Sequence, residues 1–116
     1  MTAALRFAAG AEAATGLALL VAPSLVARLL LGEDTTGIAV PIARVTGIAL
    51  IGLGVACGSG TPRLGMLIYS AGVAVVLGYA GLVGSASGAL LWPAVLAHAV
   101  LTALLARSSG SDASAR

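Results

Sequence analysis

Lysine is absent from this 116-residue chain, and charge of either sign is scarce: six arginines, four acidic residues, 9% charged in all. Soluble domains carry about 25% charged residues, so this chain could not cover a water-facing surface. A formal net charge of +2 is too small to neutralise a phosphate backbone, and no nucleic-acid partner is expected. The one cysteine, Cys57, leaves neither an intrachain disulfide nor a Cys-x-x-Cys pair; a lone cysteine reads as a small packing residue. One histidine, one cysteine and one carboxylate within the apolar runs do not make a metal-ligand set, and bis-His haem ligation is out of reach within one chain. Ser59 and Ser70 have no base near them in sequence, so no nucleophilic triad is built. The glycines of GIALIGLG, residues 47–54, lie inside an apolar run without the strand–turn–helix setting of a phosphate loop. The chain therefore reads as a non-enzyme, with no catalytic residue and no cofactor.

What fills the chain is apolar: 59% hydrophobic residues and a mean hydropathy of +1.10. Four continuous runs, at residues 3–22, 38–57, 64–83 and 89–106, each approach twenty residues. At 1.5 Å per residue such a run spans roughly 30 Å, the thickness of a bilayer core. The strict alternation of a membrane barrel strand is missing. The expectation is an all-α, membrane-embedded bundle of four antiparallel transmembrane helices, a single domain over residues 1–107. Pro23 closes the first span. Residues 24–31, SLVARLLL, are too short to cross and read as an interfacial helix. Residues 32–37 form a polar loop, 58–63 and 84–88 are turns, and 108–116 read as a disordered polar tail. A cleaved leader over the N-terminal run is the alternative there; Glu12 within it and a poor small-residue site near Ala27 weigh against it.

Orientation follows from the arginines. With four spans, Arg6, Arg63, Arg107 and Arg116 share one side, and Arg28 lies on the other with Arg44 just inside it. The positive-inside rule then places both termini in the cytoplasm, and Trp92 in the outer aromatic belt.

At 100° per residue, Glu12 shares its side with Ala8, Ala9, Thr15 and Gly16. Arg44 aligns with Gly47, Ile51, Gly54 and Gly58; Tyr69 and Tyr79 with Gly65, Gly72 and Val76; His98 with Ala94 and Thr102. Small residues let backbones approach, so these faces are expected to turn inward. Glu12, Arg44, Tyr69, Tyr79 and His98 form the candidate intramembrane polar cluster. Ionisable groups at membrane depth are either functional or mutually neutralising. If the inner ends of the first two antiparallel spans start level, Glu12 and Arg44 differ in depth by roughly 6 Å, within reach of an ion pair completed by Thr15 or Tyr69. His98 is expected to be neutral and bonded to Thr102 or to a backbone carbonyl.

ALRFAAGAEAATGLALLVAPSLVARLLLG at 4–32, ARVTGIALIGLG at 43–54 and WPAVLAHAVL at 92–101 resemble small bacterial four-helix membrane proteins of the DoxX-like kind. The resemblance implies a four-span fold and, as in some DoxX-like proteins, a subunit role in quinone- or thiol-linked redox systems. It carries over no catalytic residue, and the missing thiol pair argues against a dithiol role. It leaves an accessory subunit or a binder of an apolar ligand, a lipid or a quinone, with the bilayer, a membrane protein or a second copy as partner. GAEAATGLALL, residues 10–20, is also similar in flavour to helix one of small multidrug resistance transporters, which use a membrane glutamate. That likeness implies proton-coupled transport through Glu12, although four aromatic residues are few for such a substrate cavity.

Overall fold

The computed structural model describes the backbone of residues 3–115 and the side chains of residues 3–107. The described chain is helical, with α1 at Ala3–Val21, α2 at Pro23–Leu31, α3 at Ala39–Ser59, α4 at Pro62–Leu82 and α5 at Leu91–Ala115. Three of these, α1, α3 and α4, are long and apolar enough to cross a membrane; the apolar part of α5, Leu91–Arg107, is shorter.

Proline and glycine set the breaks. Ala22, ahead of Pro23, leaves helical geometry at φ −137°, ψ 66°, and Pro23 begins α2 at a position where its missing N–H costs nothing. Gly32 ends α2 in the left-handed region, φ 85°, donating its N–H to the Arg28 carbonyl. The turn expected over 58–63 shrinks to two residues: α3 runs on through Gly58 and Ser59, Gly60 turns at φ 70°, and Pro62 already starts α4. Only the left-handed residue and the residue before proline must leave the helix, so the neighbouring Gly and Ser remain in it. α5 continues past Arg107 to Ala115, through residues that read in the sequence as a polar tail. No proline follows Pro93, and a helix once nucleated extends at little cost.

Packing is pairwise and serial. α1 lies against α3, α3 against α4, and α4 against α5, with α2 tucked beside α1 and α3. Among the described residues neither α1 nor α3 reaches α5. The molecule measures 49 × 38 × 16 Å, little thicker than one helix with its side chains. The long helices thus form a row, not a bundle closed around a common interior. The small-residue stripes do mark contact faces, but each face meets one neighbour. On α3 the Gly47–Gly54 side meets α1, and Ile48 and Gly52 meet α4.

Two reciprocal glycine pairs fix the register. A Cβ on Gly16 would strike the Gly47 carbonyl, and one on Gly47 the Gly16 carbonyl; Gly52 and Gly65 stand in the same relation between α3 and α4. Contacts run down one helix as they run up the next: Ala9 meets Gly54 and Gly58, whereas Gly16 meets Gly47 and Ile51. At the start of α5 the Trp92 ring and Leu91 lie over Gly81, where a Cβ would approach the ring to 2.8 Å. The buried hydrophobic residues are accordingly mostly small: Ala9, Ala27, Ile48, Val73 and Ala80. Large apolar side chains point outward, among them Phe7 at 80% exposure and Leu82 at 80%. Such a surface suits hydrocarbon and not water.

α2 is tied to the loop that follows it. Arg28 Nε donates to Asp34 Oδ1 at 2.7 Å, and Ser24 Oγ donates to the Thr35 carbonyl at 3.1 Å. The hydrogen bond from Arg28 holds the Asp34 carboxyl below the ordinary carboxylate range.

Candidate functional site

The five sequence candidates do not gather at one place. Glu12 is half-buried on α1, one residue before Ala13, which lies against Gly54 of α3. Arg44, also half-buried, stands ten residues along α3 from Gly54, or about 15 Å at the helical rise. No ion pair joins them among the described residues; the ion pair found is Arg28–Asp34. The level start assumed for the two spans is the source of the error. The Gly16–Gly47 approach slides α3 along α1 and carries Arg44 away from Glu12. Thr15, expected to serve that pair, donates to the Ala11 carbonyl of its own helix at 2.8 Å. Tyr79 is 63% exposed.

Tyr69 and His98 do meet. Their rings stand edge to face with centroids 5.9 Å apart and an interplanar angle of 71°, a favourable aromatic geometry. Gly65 and Gly52 let α3 and α4 close at this level, which sets Tyr69 against α3 on one flank. Both rings border a half-open cavity of about 420 Å³ lined by α3, α4 and α5 and by the loop before α5. Ile38, Pro41, Ile42, Val45 and Thr46 line it from the α3 side, Tyr69, Val73, Leu77 and Ala80 from α4, Ala86 from the loop and His98 from α5. No carboxylate and no cation is in this lining. A volume of this order, with apolar walls and a few polar groups, is the usual form of a small-molecule site.

The polar groups are partly committed. His98 Nδ1 is 2.8 Å from the Ala94 carbonyl, so of the two expected partners the backbone takes the ring. The Thr102 hydroxyl instead donates to the His98 carbonyl at 2.7 Å. Thr46, which the sequence reading passed over, donates to the Ile42 carbonyl at 2.9 Å. Its signal was available: a threonine two residues from Arg44 in an otherwise apolar run. Ser70 was also passed over as a structural group. It is fully buried, with no hydrogen-bond partner for Oγ among the described residues.

Two other hollows have less chemistry. A groove of about 540 Å³ near the start of α1 is bordered by Arg6, Ala9, Gly10, Ala13, Gly54, Val55, Gly58 and Ser59 and does not include Glu12. A depression of about 370 Å³ between Leu20, Ile51, Ile68 and Val75 is bordered by apolar residues alone. Among the described residues no three His, Cys, Asp or Glu side chains could jointly hold a metal ion.

The fold is thus all-helical, with three helices of membrane-spanning length and a lateral cavity that Thr46, Tyr69 and His98 border without any charged side chain. No family model, curated protein or solved structure matches the chain. The DoxX-like resemblance accordingly rests on the apolar segment pattern alone.

Proposed function

We propose that the protein is an integral membrane protein of four antiparallel spans, α1, α3, α4 and α5, that binds an apolar small molecule in the cavity between α3, α4 and α5. On this reading it is a DoxX-like accessory or binding protein of the bacterial inner membrane, not an enzyme, with both termini cytoplasmic and α2 in the outer interface. The opposed order of contacts along successive helices supports the alternating span directions. The apolar stretch of α5, Leu91–Arg107, sits at the lower limit of spanning length.

One observation carries the functional reading: the Tyr69–His98 pair borders an uncharged cavity of about 420 Å³. An uncharged lining disfavours a free ion or a lipid headgroup and favours a largely hydrocarbon body with one or two hydrogen-bonding atoms. Mass spectrometry of the gently solubilised protein tests it. The expected result is an adduct of lipid or quinone size that is lost when Val73→Phe or Leu77→Trp fills the cavity. Bare protein from wild type and variants alike, across several mild detergents, would overturn the reading.

A second reading has an observation of its own. Glu12 has no ion-pair partner among the described residues, so Arg44 does not neutralise it, and proton-coupled transport through Glu12 gains support. Substrate-induced proton release from the purified protein, abolished by Glu12→Gln, is its test.

A further inference from the structure

We infer that the cavity between α3, α4 and α5 takes a ligand that donates a hydrogen bond, an uncharged hydroxyl compound on an apolar body, with His98 Nε2 as its acceptor. This rests on the proposal that the cavity binds an apolar small molecule, and it goes further by fixing the polarity of the ligand's polar atom.

The Ala94 carbonyl oxygen has no proton to give, so its 2.8 Å contact with His98 Nδ1 requires that Nδ1 carry the hydrogen and donate it. The cavity lining supplies no carboxylate to hold a charged ring. A neutral imidazole with hydrogen on Nδ1 has a lone pair on Nε2. That atom accepts no hydrogen bond among the described residues, because the recorded interactions of the ring are with the Ala94 carbonyl and the Tyr69 ring.

A census of the remaining polar atoms points the same way. Thr46, in the lining, spends its hydroxyl hydrogen on the Ile42 carbonyl, so its oxygen can serve a further partner as an acceptor only. Tyr69 supplies the one hydroxyl hydrogen left in the lining, and its oxygen also accepts. Three side-chain acceptors therefore stand against one donor. A ketone or quinone carbonyl would satisfy the Tyr69 hydrogen and leave Nε2 bare. A hydroxyl compound donates to Nε2 and can accept from Tyr69 as well. Leaving a buried acceptor unmatched is what discriminates strongly between near-isosteric ligands.

The chain has one histidine, which gives the test a single ring to follow. Protein labelled with 15N-histidine, in detergent micelles, is titrated with 4-pentylphenol and, separately, with its methyl ether 4-pentylanisole. Affinities are expressed per mole fraction in the micelle, so that partitioning is common to both. The free protein is expected to show hydrogen on Nδ1 and an unprotonated Nε2. The phenol should move the Nε2 resonance and bind about tenfold tighter than the ether, and His98→Phe should erase that difference. Equal affinities with an unmoved Nε2 signal would overturn the donor assignment and leave the cavity reading standing. A free-protein spectrum with hydrogen on Nε2 would also overturn it. Failure of both probes to bind, with the methyl signals of Val73 and Leu77 unchanged, would sink the cavity reading and this inference together. Should His98→Phe fail to fold, the wild-type spectrum alone still decides.

Discussion

Glu12 and Arg44 show how much depends on a register shift of a few residues. Each is placed on a contact face by its sequence neighbours, and each is half-buried in the structure. A separation of about 15 Å along the helices makes them independent. Glu12→Gln and Arg44→Met should therefore change stability additively, to within about 0.5 kcal/mol, in a double-mutant cycle measured by unfolding in mixed micelles. A coupling beyond that would mean the side chains meet in the membrane. The glycines offer the complementary experiment. Gly16→Val would force a Cβ into the Gly47 carbonyl, whereas a Cβ on Gly10 would meet nothing within 4 Å. The former should cost about 2 kcal/mol or more, and Gly10→Ala should be neutral or slightly stabilising. Thermal unfolding of the two variants side by side is the check.

At the level of elements, most of the helices can be read in the residues. Continuous apolar runs mark α1, α3 and α4, and Pro23, Gly32, Gly60 and Pro62 punctuate them for reasons intrinsic to proline and glycine. Helix ends are less legible: Gly58 and Ser59 look like turn residues, yet nothing in their geometry compels a turn once Gly60 supplies one. Half of the candidate site was within reach. Tyr69 and His98 fall on contact faces of neighbouring helices and meet, but a stripe of small residues says only that a face is touched, not by which partner. The grouping of Glu12, Arg44 and Tyr79 with them assumed a shared interior that a row of helices does not possess. The α2 segment carries its own prediction. Asp34 has its carboxyl held below the usual range by Arg28. The tie is therefore complete above the ordinary carboxylate pKa of about 4, and it weakens as pH falls through the lower, folded value. Hydrogen exchange over residues 32–38 should be insensitive to this pair from pH 7 to about pH 5 and faster at any pH in Asp34→Asn. Unchanged exchange in that variant would mean Ser24 and Thr35 hold the loop by themselves.

Taken as a whole, the molecule is a chain of nearest-neighbour contacts, α1 to α3 to α4 to α5. Stability in such an arrangement is close to a sum of adjacent interfaces, as in repeat arrays. A chain ending at residue 88 should keep the α1–α3 and α3–α4 interfaces, with their glycine pairs, and lose the cavity, since His98 is gone and α4 is left uncovered. The measurement is resistance of the shortened chain to unfolding in detergent, beside its loss of 4-pentylphenol binding. Collapse of the truncated protein would mean that α5 supports the others through contacts the row does not contain.

The serial order also bears on how the protein is made. A nascent membrane chain delivers its helices one at a time, and each helix after α1 here finds its packing partner already in place or immediately upstream. α3 arrives to α1, α4 to α3, and α5 to α4, so no interface waits for a distant segment still inside the ribosome. Synthesis of the last helix is then the step that completes the cavity, and translational arrest before it would leave a packed precursor without the α5 wall.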